Sequence, residues 1–182
     1  MGTDPPYTAD MSASPDFIPL SLCVLTVSDS RTAANDSSGD YLCGALADAG
    51  HRLHARALLP DDKYRLRAQV STWIAADDVD GILLTGGTGF TGRDSTPEAL
   101  LPLLDKQMPG FGELFRALSF EEIGTSTMQS RAFAGLANGS FVFALPGSTS
   151  ACRTAWEKIL CAQLDARTKP CNLVNLRPRL KE

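Results

Sequence analysis

Nowhere does the chain hold an apolar run approaching the roughly 18 residues that a membrane-spanning helix requires, so no membrane partner is expected. Positive charge is not in excess. Lys and Arg number 17 against 21 Asp and Glu, a formal charge of -4, without the basic stripe of a nucleic-acid binder. Histidine is scarce: His51 and His54 sit three apart at the start of a predicted strand, where their side chains point to opposite faces. They cannot share a zinc ion, and no Ser/His/Asp arrangement suggests itself around them. The five cysteines, Cys23, Cys43, Cys152, Cys161 and Cys171, include no C-x-x-C pair. Cys23 lies in a strand pattern and Cys43 and Cys152 in helical ones, which predicts small buried hydrophobes in a reducing cytoplasm. No lysine follows a glycine, which excludes a Walker A loop.

What is present is a 43% hydrophobic, 21% charged chain of 182 residues, enough for one well-cored domain and too short for two ordinary ones. Residues 1–17 are expected to be a disordered arm. The stretch Met1 to Asp16 is rich in Pro, Asp, Ser and Thr and has neither the apolar centre of a secretory signal nor a membrane anchor. Pro6 stands where a myristoylation motif needs Ser or Thr. Residues 18–182 are expected to form a single domain with a C-terminal tail.

Leu20 to Val27 is a near-continuous apolar run, the pattern of a strand covered on both faces. A polar loop through Ser28, Arg31 and Asn35 to Gly39 leads to a helix over Leu42, Ala45, Leu46 and Ala49, stopped at Gly50. A second strand covers His51 to Leu59, followed by Pro60-Asp61-Asp62 and a helix whose face is Leu66, Val70, Trp73 and Ile74. Gly81 to Thr85 is a third strand. The helix starting at Thr96-Pro97 is expected to be short or kinked, because Pro102 falls five residues on. Pro109 to Gly112 reads as a turn before a helix through Phe111, Leu114, Phe115 and Leu118. A further helix is predicted from about Ser126 to Ala137, stopped by Asn138-Gly139. Ser140 to Leu145 is a fourth buried strand, and a last helix carries Cys152, Ala155, Trp156, Ile159 and Leu160. Strands alternating with helices predict an α/β fold with three α-β-α layers and a mainly parallel sheet. Strand order stays open, with room for an antiparallel edge strand. The loops near Ser28, Pro60, Gly86 and Pro146 then gather at the carboxyl edge of the sheet, where such folds bind ligands.

The densest of these loops is Gly86-Gly-Thr-Gly-Phe-Thr-Gly-Arg93-Asp94. Its glycines let a ligand approach the main chain, and with the following helix start they suit a phosphate. Gly87 to Gly92 also satisfies G-x-G-x-x-G. A dinucleotide loop, however, follows the first strand, runs straight into a helix and has an acidic partner about twenty positions on. None of this holds here, and no Tyr-x-x-x-Lys pair exists. Asp61 and Asp94, each after a strand end, could hold a Mg²⁺ that bridges nucleotide phosphates. Alternatively, Asp61 caps the next helix and Asp94 pairs with Arg93 or closes an Asx-turn. Ser148 or Thr149 is a helix cap whose neighbouring amides could also take an anion.

Thr85 to Ala99 closely resembles the glycine loop of the MoaB/MogA family of molybdenum-cofactor biosynthesis proteins. So do Leu25 to Asp29, Pro109 to Glu113 and Pro146-Gly147-Ser148, while Glu121 to Arg131 looks like the MoaB branch. The resemblance covers about residues 18 to 171. It implies a cytoplasmic protein that binds molybdopterin, works beside other proteins of that pathway and assembles as a homotrimer or hexamer. Active members transfer AMP from Mg·ATP to the terminal phosphate of the pterin. The family's two functional aspartates fall on Asp61 and Asp94, which decides Asp61 in favour of catalysis and Mg²⁺ binding. Gly86, Gly87, Thr88 and Gly89 are then expected to hold the pterin phosphate, with Ser28, Arg93, Gly147 and Ser148 completing the substrate site. Binding of the pterin without turnover is the alternative.

Overall fold

A computed structural model describes residues 16–180; of the arm predicted over residues 1–17, residues 1–15 lie outside them, and Phe17 packs its ring against His51 at 5.2 Å between centroids. The elements run β1 (Ser21–Val27), α1 (Ser37–Asp48), β2 (Arg52–Leu59), α2 (Lys63–Ile74), β3 (Gly81–Thr85), α3 (Thr96–Leu100), β4 (Lys106–Gln107), α4 (Pro109–Ile123), β5 (Phe133–Ala137), β6 (Ser140–Leu145) and α5. This last helix begins as Thr149–Ala155 and continues through a widened π stretch, Trp156–Leu160, to Cys161–Gln163. The six strands form one sheet in the order β2-β1-β3-β6-β5-β4. The first four in that order are parallel, while β5 pairs antiparallel with β6 and β4 with β5.

Period-2 alternation within the apolar strands splits the core between two faces. Leu22 and Val24 of β1 meet Leu42, Phe115, Phe143 and Trp156 on the face covered by α1, α4 and α5. Cys23, Leu25 and Val27 meet Leu66, Val70, Trp73 and Leu100 on the face covered by α2 and α3. This is the three-layer, mainly parallel α/β architecture that the strand and helix patterns predict. Strands buried on both faces need an apolar residue at nearly every position, which is why β1 reads as a continuous run.

Three local expectations need correction. The helix predicted from Ser126 to Ala137 does not form: Gly124–Gln129 is a short 3-10 stretch and Phe133–Ala137 is β5. Asn138 and Gly139 have positive φ, 46° and 81°, the two left-handed positions of a tight hairpin turn between β5 and β6 rather than a helix stop. Pro109 to Gly112 is not a turn but the first turn of α4, with Pro109 at its start, where its missing N–H costs nothing. The polar loop before α1 is shorter than predicted. Asp36 is the cap, accepting from Gly39 N at 3.1 Å, so Ser37 to Gly39 are already helical.

The helix after the glycine loop is short, ending in a 3-10 turn over Leu101–Leu103 that contains Pro102. Of the cysteines predicted to be buried, Cys23 and Cys152 are so and Cys43 is half-buried, while Cys161 and Cys171 are exposed. His51 accepts a hydrogen bond from Leu20 N at Nδ1, and burial lowers its pKa, so it serves as a neutral core acceptor. Among the described residues, no helix is long and apolar enough to cross a membrane.

Candidate functional site

Parallel pairing brings the ends of β1, β2, β3 and β6 to one edge, and their loops are tied together by specific bonds. Gly86 N donates to Leu145 O at 3.0 Å, and Ser28 N donates to Leu59 O at 2.9 Å. Gly86 has φ +112°, and a β-carbon there would lie 2.1 Å from Val27 O. Only glycine allows the loop to turn this close to the end of β1. Its α-carbon also lies 3.3 Å from where a β-carbon on Gly147 would stand, so the two loops touch.

The gathered loops and the inner face of α4 enclose a cavity of about 570 Å³. Of the sequence-predicted site residues, Ser28, Gly86, Gly87, Thr88, Gly89, Asp94, Gly147 and Ser148 line it. Asp61 and Arg93 do not; they border a second opening of about 590 Å³ on the far side of the glycine loop. Asp94 belongs to the walls of both.

The two aspartates are held differently from either simple alternative. Asp62, not Asp61, caps α2, accepting from Tyr64 N at 3.0 Å and Arg65 N at 2.9 Å. Asp61 turns the other way and accepts from the backbone N–H and hydroxyl of Ser95, while its own N–H donates to Asp29 at 3.0 Å. Asp94 does not pair with Arg93. It accepts from Thr91 N at 2.8 Å and Thr91 Oγ1 at 2.6 Å, closing the tip of the loop. Arg93 instead forms a two-pronged pair with Asp29, at 2.9 and 2.7 Å.

Burial pushes the Asp61 carboxyl above the ordinary 3.8, against the Ser95 donors and with the negative charges of Asp94 and Asp29 adding to it. A carboxylate whose charge is disfavoured in this way is stabilised by a nearby cation. The donors are oxygen only, and among the described residues no group of three acidic, His or Cys side chains converges. Two carboxylates leaving most coordination positions to phosphates and water is the usual setting for Mg²⁺, so the residues fit that ion. By sign, the proton on a carboxyl of raised pKa stabilises the fold at low pH. That contribution is lost as pH rises through the folded value, so at neutral pH the bare site carries a small electrostatic cost.

Ser148 caps α5, accepting from Ala151 N at 3.2 Å, as expected from sequence. Asp94 is depressed overall: burial opposes ionisation, but the Thr91 and Gly89 donors and the Arg131 charge outweigh it.

Two arginines that carry the site were not singled out from sequence. Arg131 grips the glycine loop from behind, donating from its backbone to Thr88 O at 3.0 Å, from Nε to Gly89 O at 2.7 Å and from a terminal nitrogen to the Asp94 carbonyl at 2.8 Å. Arg31 lines the first cavity and donates to Gly147 O at 2.8 Å and to Ser38 Oγ. A lone arginine in a polar stretch gives no sequence signal for three backbone carbonyls that only the fold brings within reach.

Gly87→Ala is expected to injure this site through the side chains packed beneath it. At φ +65°, the new β-carbon would stand 2.4 Å from Thr96 Oγ1 and 2.6 Å from the Asp61 carboxylate. Left-handed backbone alone costs about 1–2 kcal/mol, and the displaced Asp61 adds to that. Gly92→Ala, with nothing within 4 Å of its β-carbon, should be near neutral. Calorimetric melting of the two variants checks the contrast.

The comparisons with known proteins agree with this geometry. The family model described as "Probable molybdopterin binding domain" matches residues 23–166. The chain is 57% identical over 169 residues to molybdenum cofactor biosynthesis protein B of Escherichia coli strain K12, covering 93% of this chain and 98% of the relative. A crystal structure of a molybdenum cofactor biosynthesis protein B superposes with a TM-score of 0.79 at 39% identity, covering 89% of this chain and 96% of that one. The tungsten cofactor synthesizing protein MoaB of Pyrococcus furiosus does so at 0.74 and 33%, covering 90% and 98%. With the glycine loop, the Pro146-Gly147-Ser148 turn and the α4 wall all in place over this span, the chain belongs to the MoaB/MogA family of molybdenum-cofactor biosynthesis proteins, in its MoaB branch.

Proposed function

We propose that the protein binds molybdopterin in the first cavity and transfers AMP from Mg·ATP to its terminal phosphate. Membership of the family supports the role in molybdenum cofactor biosynthesis. The observation that carries the finer reading is the position of Asp94, on the one wall shared by the two cavities, with Asp61 on the second. A terminal phosphate held at Gly86 to Gly89 and an α-phosphate held near Asp61 would meet beside Asp94.

In this reaction an oxygen of the pterin phosphate attacks the α-phosphorus of ATP. The bond to the bridging oxygen of the β-phosphate breaks, and pyrophosphate leaves with that electron pair. No side chain needs to become covalently attached. The chain's task is to hold two polyanions together and to stabilise charge on the transferring group. Gly86 to Gly89 offer close main-chain approach, Ser148 a hydroxyl and a helix start, and Arg31 a positive charge on the first cavity's wall. Asp61 and Asp94 would hold Mg²⁺, which when bound neutralises phosphate charge. Such a protein would act in the cytoplasm, where Mg·ATP is abundant, as a homotrimer or hexamer that light scattering can count.

A second reading, binding without turnover, is favoured by one specific feature: each aspartate is already engaged in holding the loop, Asp61 by Ser95 and Asp94 by Thr91. Mixing the full chain with Mg·ATP and molybdopterin separates the two. Stoichiometric pyrophosphate release supports transfer, and retention of the pterin with no release supports binding alone.

A further inference from the structure

The first cavity holds a carboxylate that neither a phosphate nor Mg²⁺ calls for. The charged side chains on its wall are Arg31, Asp94 and Glu122. Arg31 and Asp94 belong to the glycine-loop end, where Arg31 donates to Gly147 O and Asp94 closes the loop tip. Glu122 stands apart from them, where α4 faces α5. Its partner there is Thr154, about 9 Å along α5 from the Ser148 cap at the ordinary helical rise.

The position is locally unfavourable for an acid. Glu122 lies in the last turn of α4, where the free carbonyls disfavour negative charge and no basic residue offsets them. Compensation comes from α5. Thr154 Oγ1 lies 2.8 and 3.0 Å from the two carboxylate oxygens, and Lys158 Nζ donates to Oε1 at 3.2 Å. Thr154 and Lys158 hold the carboxyl below the ordinary 4.5, so it is ionised at neutral pH. They do not exhaust it. A carboxylate has about four acceptor positions, one hydroxyl proton and one ammonium proton fill two of them, and 40% of the side chain stays open. Phe115 and Ile123 supply apolar surface on the same wall, with the hydroxyls of Ser119 and Ser126 beside them. The cavity is therefore polarised: main-chain donors and a cation at one end, and a fixed two-oxygen acceptor next to apolar surface at the other.

We infer that Glu122 is the specificity residue of this cavity, accepting from the two adjacent donors of an aminopyrimidinone edge, the ring N–H and the exocyclic amine. Two parallel donors in one plane match the two oxygens of a carboxylate, and both bonds are charge-assisted. The inference rests on the reading of this cavity as the pterin site and adds the residue that tells a pterin from other flat rings of its size. A ring with oxygen in place of the amine turns an acceptor toward Glu122 and leaves the carboxylate short of a partner, which is the strongest way for a polar site to reject an analogue. Guanine has the same edge as a pterin, so the two sources are separated by experiment.

The test is equilibrium dialysis of the full chain against hydroxymethylpterin, hydroxymethyllumazine, which has oxygen in place of the amine, and guanosine. The unaltered chain should prefer the pterin to the lumazine. Glu122→Gln should bind the pterin about 10- to 100-fold more weakly, the range for a hydrogen bond to a charged group, and lose that preference at an unchanged melting temperature. Glu121→Gln removes the neighbouring carboxylate, which lies 3.8 Å from Lys158 and off the cavity wall, and should bind like the unaltered chain. Equal affinity of the unaltered chain for pterin and lumazine, or no binding of either, overturns the inference. Equal loss of both rings in Glu122→Gln also overturns it, because the carboxylate would then only join α4 to α5. So does Glu122-dependent binding of guanosine without the pterin, which would assign the edge to a purine. Retention of molybdopterin by the same preparation separates the two readings. Retention with no ring preference removes the role of Glu122 and leaves the cavity as the pterin site, whereas a Glu122-dependent ring preference without retention does the reverse.

Discussion

Asp94→Asn is expected to lower AMP transfer by about 10²–10³-fold, the usual cost of removing one preorganised electrostatic contact from a transition state, while the melting temperature stays nearly constant. The two effects separate for a structural reason. The asparagine side-chain oxygen can still accept from Thr91 N and Thr91 Oγ1, so the loop tip remains closed. What disappears is a negative charge on the wall shared by the two cavities. In the proposed reaction, Mg²⁺ binding and the alignment of two polyanions would depend on that charge, and loop geometry would not. Pyrophosphate release by the purified variant, with calorimetry on the same preparation, reads both quantities. Unimpaired release would show that Asp94 only shapes the loop, and the assignment of the metal to Asp61 and Asp94 would fall.

The second large effect is expected on stability. Asp36→Ala should destabilise the protein by about 3 kcal/mol, the lower end of the cost of breaking a buried charge pair. In a domain of this size that corresponds to a fall of roughly 6–12 °C in the melting temperature. Asp36 is fully buried and accepts from Thr26 Oγ1 at 2.7 Å, Arg56 at 2.8 Å and Gly39 N at 3.1 Å. Its removal would uncap α1 and leave a hydroxyl in the core without its partner. Arg56, partly exposed, keeps Asp40 at 2.7 Å, which holds the loss to the lower end.

The same residue predicts a pH signature. Burial works against ionisation of Asp36, but Arg56, Thr26 and the Gly39 amide together hold its carboxyl below 3.8. A depressed pKa gives stability that is present above the unfolded value and lost as pH falls through the folded one. The unaltered protein should therefore lose stability steeply below about pH 4, and the Asp36→Ala variant less so over the same range. Melting curves at a series of acidic pH values check the difference in slope. Asp36 also reaches the site, because it lies 3.5 Å from Arg31, which donates to Gly147 O. A weaker hold on the Pro146-Gly147-Ser148 loop is therefore expected in the variant as well.

Much of the fold was legible in the sequence, and the legible parts share a cause. β1, β3 and β6 are covered on both faces, so nearly every position is apolar and the runs stand out against their polar, glycine-rich ends. Pro97 at a helix start and Gly50 after a helix end are local signals that need no tertiary context. From these follow the alternation of strands and helices, the three layers and the edge at which Gly86 to Gly89, Asp94 and Ser148 meet. The motifs also carried the family, because several of them occur together in the same order.

The tertiary structure decided what depends on partners distant in sequence. The alanine-rich segment ending at Ala137 has apolar residues compatible with either period, and only pairing with β6 makes it a strand, with Asn138-Gly139 as the hairpin turn. Asp61 and Asp62 are adjacent and chemically identical. Which one caps α2 and which one turns to Ser95 is set by the direction in which β2 leaves the sheet, a matter of packing that no local pattern encodes. Arg93 adjoins Asp94 in sequence yet pairs with Asp29, and Arg131 acquires its role only because the fold presents it with the carbonyls of Thr88, Gly89 and Asp94. Sequence by itself determined the layers, the edge and the glycine loop, because burial and backbone freedom leave local traces. Only the folded chain divided that edge into two cavities with Asp94 between them, because charges and carbonyls find their partners through space and not along the chain.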